Sequence, residues 1–217
     1  MAPPGTEAAG VAHGRPACEI RSVDLAPLPS SATWVHADVR SGFEVLFTDE
    51  GTEAIRLRGT TTAIENDVGW SVGYDYDIDP KWNVRRVRVA GSDPRGDRER
   101  VIERMSPGRW TIDGAPAAHL DGCIDVDLES SAVTNAIPVH RIPFEQGQTI
   151  DAPAVFVTAG DLAVLRLEQQ YTLRSRPDVP EEIAFDYYSP TFDFHCELHY
   201  DASGLVVDYP GIARRNS

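Results

Sequence analysis

The chain has 217 residues, 41% of them hydrophobic, and 34 acidic against 20 basic residues leave a net charge of −14. That length allows a substantial core, while the charge repels phosphate backbones and anionic membrane surfaces and so argues against nucleic acid as a partner. The cysteines, Cys18, Cys123 and Cys196, lack metal-site spacing and leave at least one thiol unpaired, which suits a reducing, cytoplasmic compartment.

Residues 1–31, rich in Ala, Pro and Gly, carry neither a basic start nor a long apolar run, and read as a flexible tail without a signal peptide. One domain is expected over 32–217. No apolar stretch approaches the ~20 residues that a membrane span requires, so membrane insertion is not expected.

From Trp34 onward the hydrophobic rhythm is two. Phe43, Val45 and Phe47 alternate with Glu44, Leu46 and Thr48, and Trp70, Val72, Tyr74, Tyr76 and Ile78 alternate with small or acidic residues, each run predicting a half-buried strand. Turn signals at 49–51, Asp79-Pro80, 91–96, 106–108 and Asp113-Gly114 come at hairpin-like intervals.

The block 120–144, LDGCIDVDLESSAVTNAIPVHRIPF, is the most informative. Asp125, Asp127 and Glu129 alternate with Ile124, Val126 and Leu128, so a strand here puts the acids on one face and the apolar side chains on the other. Ser130-Ser131 breaks the pattern, Thr134-Asn135 reads as a turn, and a second extended stretch is expected where Pro138 and Pro143 bracket His140 and Arg141. Leu162–Leu173 fits a strand or a short helix and is assigned to strand. In Phe192–Asp201, Phe194, Cys196, Leu198 and Tyr200 face one way and His195, Glu197 and His199 the other; a turn at 201–204 and a short return strand come next. So long an antiparallel sheet must close or curl over its apolar face, and a roll around a cavity is expected.

The strings GCIDVDL at Gly122–Leu128, TNAIPVHRI at Thr134–Ile142, QQYTL at Gln169–Leu173 and DASGLVVDYPG at Asp201–Gly211 occur in that order, preceded by Trp82 with Arg85-Arg86 and by GRWTIDG at Gly108–Gly114. Together they resemble the bacterial putative glycolipid-binding family over roughly Trp34–Arg215. The resemblance implies an all-β fold, a single large antiparallel sheet curled into a spiral β-roll or half-barrel, similar to the carrier fold of lipoprotein-localisation factors. It places the large residues of the alternating strands on the concave face, and implies an amphipathic small-molecule partner such as a lipid or glycolipid.

Each candidate residue has a functional and a structural reading. Asp125 and Asp127 suit binding of sugar hydroxyls or acid/base work, and equally suit pairing with arginines on neighbouring strands. Arg141 and Asn135 either close the polar end of a site or act structurally, Arg141 as a buried bridge to one of the acids and Asn135 by holding the turn. His140 is a packed core histidine or a pocket group with a shifted pKa. Gln170 and Tyr171 point to opposite faces and are candidate pocket residues, while Trp82, Trp110 and Tyr209 serve first as core and second as ligand platforms.

His195, Glu197 and His199 share a strand face, but no second ligand cluster joins them and no metal is expected. Nucleophile motifs, Walker loops, dinucleotide fingerprints and zinc spacings are missing, so no cofactor is expected either. Two functions remain: a cytoplasmic β-roll that binds an amphipathic ligand, or a non-hydrolytic pocket enzyme such as a cyclase or isomerase using Asp125, Asp127 and His140 to move protons. A roll filled by its own side chains is the third possibility. Composition carries no signal for oligomeric state.

Overall fold

Residues 25–174 and 183–216 are described by a computed structural model. The expected tail falls outside the described residues as far as residue 24. Residues 25–30 lie against the domain, with the Ala26 N–H donating to the Ala202 carbonyl at 2.7 Å and the Leu28 N–H to Glu50 at 2.8 Å.

Strands β1 (Ser31–His36), β2 (Ser41–Glu50), β3 (Ile55–Glu65), β4 (Val68–Ile78), β5 (Val84–Asp93), β6 (Gly96–Ser106) and β7 (Arg109–Ile112) form an antiparallel meander, edged by the two-residue β8 (Ala115–Pro116). The chain then crosses the interior through β9 (Asp125–Leu128) and helix α1 (Ala136–Arg141). It continues with β10 (Thr149–Asp151), β11 (Ala154–Val157) and β12 (Val164–Leu167). A second meander completes the chain: β13 (Gln170–Arg174), β14 (Ile183–Ser189), β15 (Phe194–Tyr200), β16 (Val206–Tyr209) and β17 (Ala213–Arg215). Because β17 pairs with β1, the two meanders join in one 14-stranded sheet with open edges at β8 and β10.

The sheet wraps around the crossing segment. From β3 and β4, Thr61 donates to the Ser130 carbonyl at 2.7 Å and Tyr76 to the Val126 carbonyl at 3.3 Å. From β13 and β15, Tyr171 donates to Asn135 Oδ1 at 2.9 Å and Tyr200 to the Asn135 carbonyl at 3.3 Å. Strands from both meanders thus grip one short segment, which requires a curled sheet. Its concave face is not left empty: Val126, Leu128, Ala132, Val133, Ala136 and Ile137 pack with Leu46, Leu57, Tyr76, Val87 and Val89 in one core. A second core lies under β13–β16, where Phe144 meets Tyr171 and Phe185.

The alternating strands run largely as expected, but β2 is turned over. Glu44 and Leu46 are fully buried on the concave face, and Phe43 and Phe47 are each 55% exposed on the convex one. An interior carboxylate, not the larger aromatics, sets the facing of this strand, since the Tyr74 hydroxyl, the Ser131 hydroxyl and the Ala132 N–H all donate to Glu44. The expected strand over Leu162–Leu173 breaks at Glu168-Gln169, so β12 joins β9 and β11 in a small second sheet while β13 joins the large one.

Gly59 makes the Glu44 contact possible. Tyr74, its register partner, lies across the glycine, and a Cβ at position 59 would fall 2.2 Å from the tyrosine hydroxyl. Gly59→Ala should therefore displace the ring and cost about 1–3 kcal/mol, as overpacking does. Equilibrium urea unfolding measures this, and an unchanged midpoint would show that the Tyr74 ring does not depend on the missing Cβ.

Candidate functional site

The segment 120–144 departs from the sequence expectation in its second half. The stretch around His140 is not extended: Val133–Asn135 forms a single 3-10 turn leading into α1. Pro138 sits in the first turn of the helix, where its missing N–H is no loss, and Pro143 lies just past the end, so the two prolines bound a helix as readily as an extended strand. Ala136, Ile137, Pro138 and Val139 are the buried residues of α1. Cys123 and Cys196 are unpaired, buried thiols, pushed up by burial to about 11 and about 12.

Asp125 and Asp127 share the predicted face of β9. Asp125 is 1% exposed and accepts two bonds from Arg141, at 2.8 Å from Nε and 2.7 Å from Nη2. Burial raises the Asp125 pKa, and the arginine opposes the shift. The Arg141 side chain keeps 14% of its surface, so the bridge ends at the protein exterior. Asp127 accepts a hydrogen bond from the Thr134 hydroxyl and retains a little accessible surface. It is nonetheless surrounded closely enough that burial pushes its carboxyl up to about 6, against the Thr134 bond and the Leu128 N–H.

Two carboxylates clamp the turn between β9 and α1. Asp127 holds Thr134, while Glu44, across the interior, holds Ser131 and Ala132 and is pushed up to about 7 by burial. Sequence patterning did not single out Glu44. The only available signal was its sharing a strand face with Leu46.

β9 pairs in parallel with β11, placing Asp127 beside Phe156, and β11 pairs antiparallel with β12, placing Phe156 beside Leu165. Phe156 packs against Phe192 with ring centroids 5.2 Å apart and the rings tilted by 58°, and Phe192 and Leu165 remain 54% and 48% exposed. An apolar rim thus adjoins a carboxylate whose neighbour on the same strand face carries an arginine.

The other candidates fall into three groups. Asn135 and Tyr171 join this interior, and Gln169, which opens the QQYTL string but was not a candidate site residue, adds an acceptor for Tyr187 at 3.1 Å and for Tyr171 at 3.5 Å. Gln170 points outward, as the alternation requires, and donates to Asp151 at 2.8 Å. Trp82 and His140 stack on each other at 3.7 Å, with burial pushing the imidazole down to about 4. Trp110 is buried and donates to the Cys123 carbonyl at 3.0 Å, and Tyr209 packs in the core under β13–β16. His199 pairs with Glu197 at 3.0 Å, and no group of three metal-ligating side chains converges among the described residues.

The architecture defines an all-β protein of the curled-sheet class, carrying an amphipathic strip beside an interior crossing segment. The chain belongs to the family described as Putative glycolipid-binding, whose profile matches residues 31–215. Among solved structures it is similar to a DUF1089 family protein from Pseudomonas aeruginosa, at 24% identity and a TM-score of 0.68, covering 88% of this chain and 96% of that one. It is also similar in fold to a beta-barrel-like protein of domain of unknown function DUF1849 from Brucella abortus, at 10% identity and a TM-score of 0.51, covering 88% and 95%. No curated protein matches it.

Proposed function

We propose that the protein binds an amphipathic small molecule, lipid or glycolipid in type, with its polar group at Asp127 and Arg141 and its apolar part on Phe156, Leu165 and Phe192. The observation that carries this reading is the register of β9, β11 and β12, which sets the incompletely buried Asp127 beside an exposed apolar rim. The family description supports a lipid-like ligand. Two unpaired, buried thiols support a reducing, cytoplasmic setting, and no described helix is long and apolar enough to cross a membrane.

Calorimetric titration with octyl glucoside below its micelle concentration tests the reading. Wild type should saturate, and Asp127→Asn should bind roughly tenfold or more weakly, the loss expected for one charged hydrogen bond. Gln170→Ala, on the outer face, should bind like wild type. Equal affinity in all three proteins would refute the assignment.

An enzymatic reading rests on one observation, that a carboxyl held at about 6 beside the Thr134 hydroxyl can accept or donate a proton near neutral pH. Release of bound material unchanged favours the carrier; release as a cyclised or isomerised product favours the enzyme.

A further inference from the structure

A cleft of about 310 Å³ opens where the β4–β5 turn meets the end of β6, lined by Asp79, Asn83, Arg85, Arg104 and Ser106. Its volume is at the small end of ligand pockets, suited to one charged group rather than to a chain. Two irregularities converge on it. The β4–β5 register shifts so that Arg85 is unpaired between Val84 and Arg86, and the β6–β7 register shifts between Arg104 and Ser106. Bulges of this kind redirect side chains, here toward the same opening.

The lining carries two arginines and one carboxylate in an otherwise acidic chain. Arg104 makes no direct hydrogen bond or ion pair among the described residues, though it lies in Coulombic reach of the buried Asp125: its guanidinium lies over the Trp110 ring at 5.9 Å, and its Nε has neither accessible surface nor partner. Arg85 reaches the Glu53 carbonyl at 3.3 Å and Asp77 at 3.8 Å, acts through space on Asp79, and has a half-exposed side chain. The one carboxylate in the lining, Asp79, is already occupied by the backbone N–H groups of Lys81 and Asn83, both at 2.8 Å, and by the Asn83 amide at 3.0 and 3.1 Å. Those bonds do not neutralise Asp79, so the two arginines leave the lining one positive charge in excess, with no acceptor bonded to Arg104 among the described residues.

We propose that this cleft binds a phosphate-type oxyanion between Arg85 and Arg104, with the Ser106 hydroxyl as a further donor. The cleft shares no lining residue with the Asp127 strip and does not rest on the amphiphile reading, although Arg104 lies in Coulombic reach of Asp125. The same group is presented by free phosphate and by a phospholipid headgroup, which share this chemistry and differ in whether the phosphate is esterified to a lipid.

The test is side-chain NMR of the arginine Nε–H groups while inorganic phosphate is added at constant ionic strength, sodium chloride serving as the control. Arg104 should shift along a saturating curve. Arg85→Gln, at a half-exposed position, should weaken the affinity roughly tenfold. Arg104→Lys, which keeps the charge but not the fork, should weaken it as well, and Arg58→Gln, on the exposed face of β3, should leave it unchanged. A parallel titration with short-chain phosphatidylglycerol below its micelle concentration separates the sources: tighter binding than phosphate identifies a headgroup, equal binding a free anion. Shifts that grow linearly and match those from chloride, or affinity retained in an Arg85→Gln/Arg104→Lys double variant, would overturn the proposal.

Discussion

Arg141→Met is expected to destabilise the fold by about 3–5 kcal/mol, the usual consequence of stranding a buried charge. Asp125 is 1% exposed and both of its oxygens bond to this guanidinium. Without the arginine the carboxylate must either remain unpaired or take up a proton, a tendency already visible in its raised pKa. The pair also ties the end of α1 to the start of β9, so its loss loosens the crossing segment at both ends. A double-mutant cycle with Asp125→Leu separates the pair from its parts. The double variant should recover much of the loss, because two apolar residues in this site have no charge to desolvate. Additive costs would show that the two residues do not act as a unit.

Glu44→Ala is the second large effect. It leaves the Tyr74 hydroxyl, the Ser131 hydroxyl and the Ala132 N–H without an acceptor deep in the core, at a cost of about 4 kcal/mol. Arg40, buried and in Coulombic reach of Glu44, loses its balancing charge as well. Glu44→Gln isolates the ionisation. The folded-state value of about 7 lies above the ordinary 4.5, so between those pH values the native state holds a proton that the unfolded chain releases. Stability from this group is therefore complete below about pH 4.5 and falls as pH rises through 7, by roughly 3 kcal/mol. Glutamine does not titrate, and Asp127 and His140 are common to both proteins. The stability difference between wild type and Glu44→Gln should thus move by that amount in favour of the variant from pH 4.5 to pH 8. A pH-independent difference would contradict the raised value.

The strand rhythm, the meander and the facing of β4 and β15 were legible because a half-buried strand writes its two faces into alternate residues. So was the Asp125–Arg141 bridge, as one of two readings. What escaped depends on partners distant in sequence. The parallel pairing of Asp127 with Phe156 joins strands separated by α1 and β10, and no local pattern announces it. The facing of β2 is set by Tyr74, Ser131 and Ala132 together, against the pull of Phe43 and Phe47 for burial. Helix α1 was hidden by prolines that suit two conformations. Gln169, adjacent to Gln170, differs from it only in which face the strand break turns inward. The Arg104 cleft escaped altogether, since bulges leave no trace in an alternating pattern.

The pairing of β1 with β17 has a consequence for how the chain acquires this structure. Trp34 stands opposite Arg215, and its indole donates to the Val206 carbonyl at 2.7 Å. During synthesis the first meander can form early, from neighbours, but the free side of β1 stays unpaired until nearly the whole domain has been made. Its junction is the most non-local contact in the sheet, the kind that forms late and slowly. Until then an uncovered strand and the exposed Phe43 and Phe47 lie side by side on a growing polypeptide, which makes this seam the point where a ribosome-bound chaperone has most to protect.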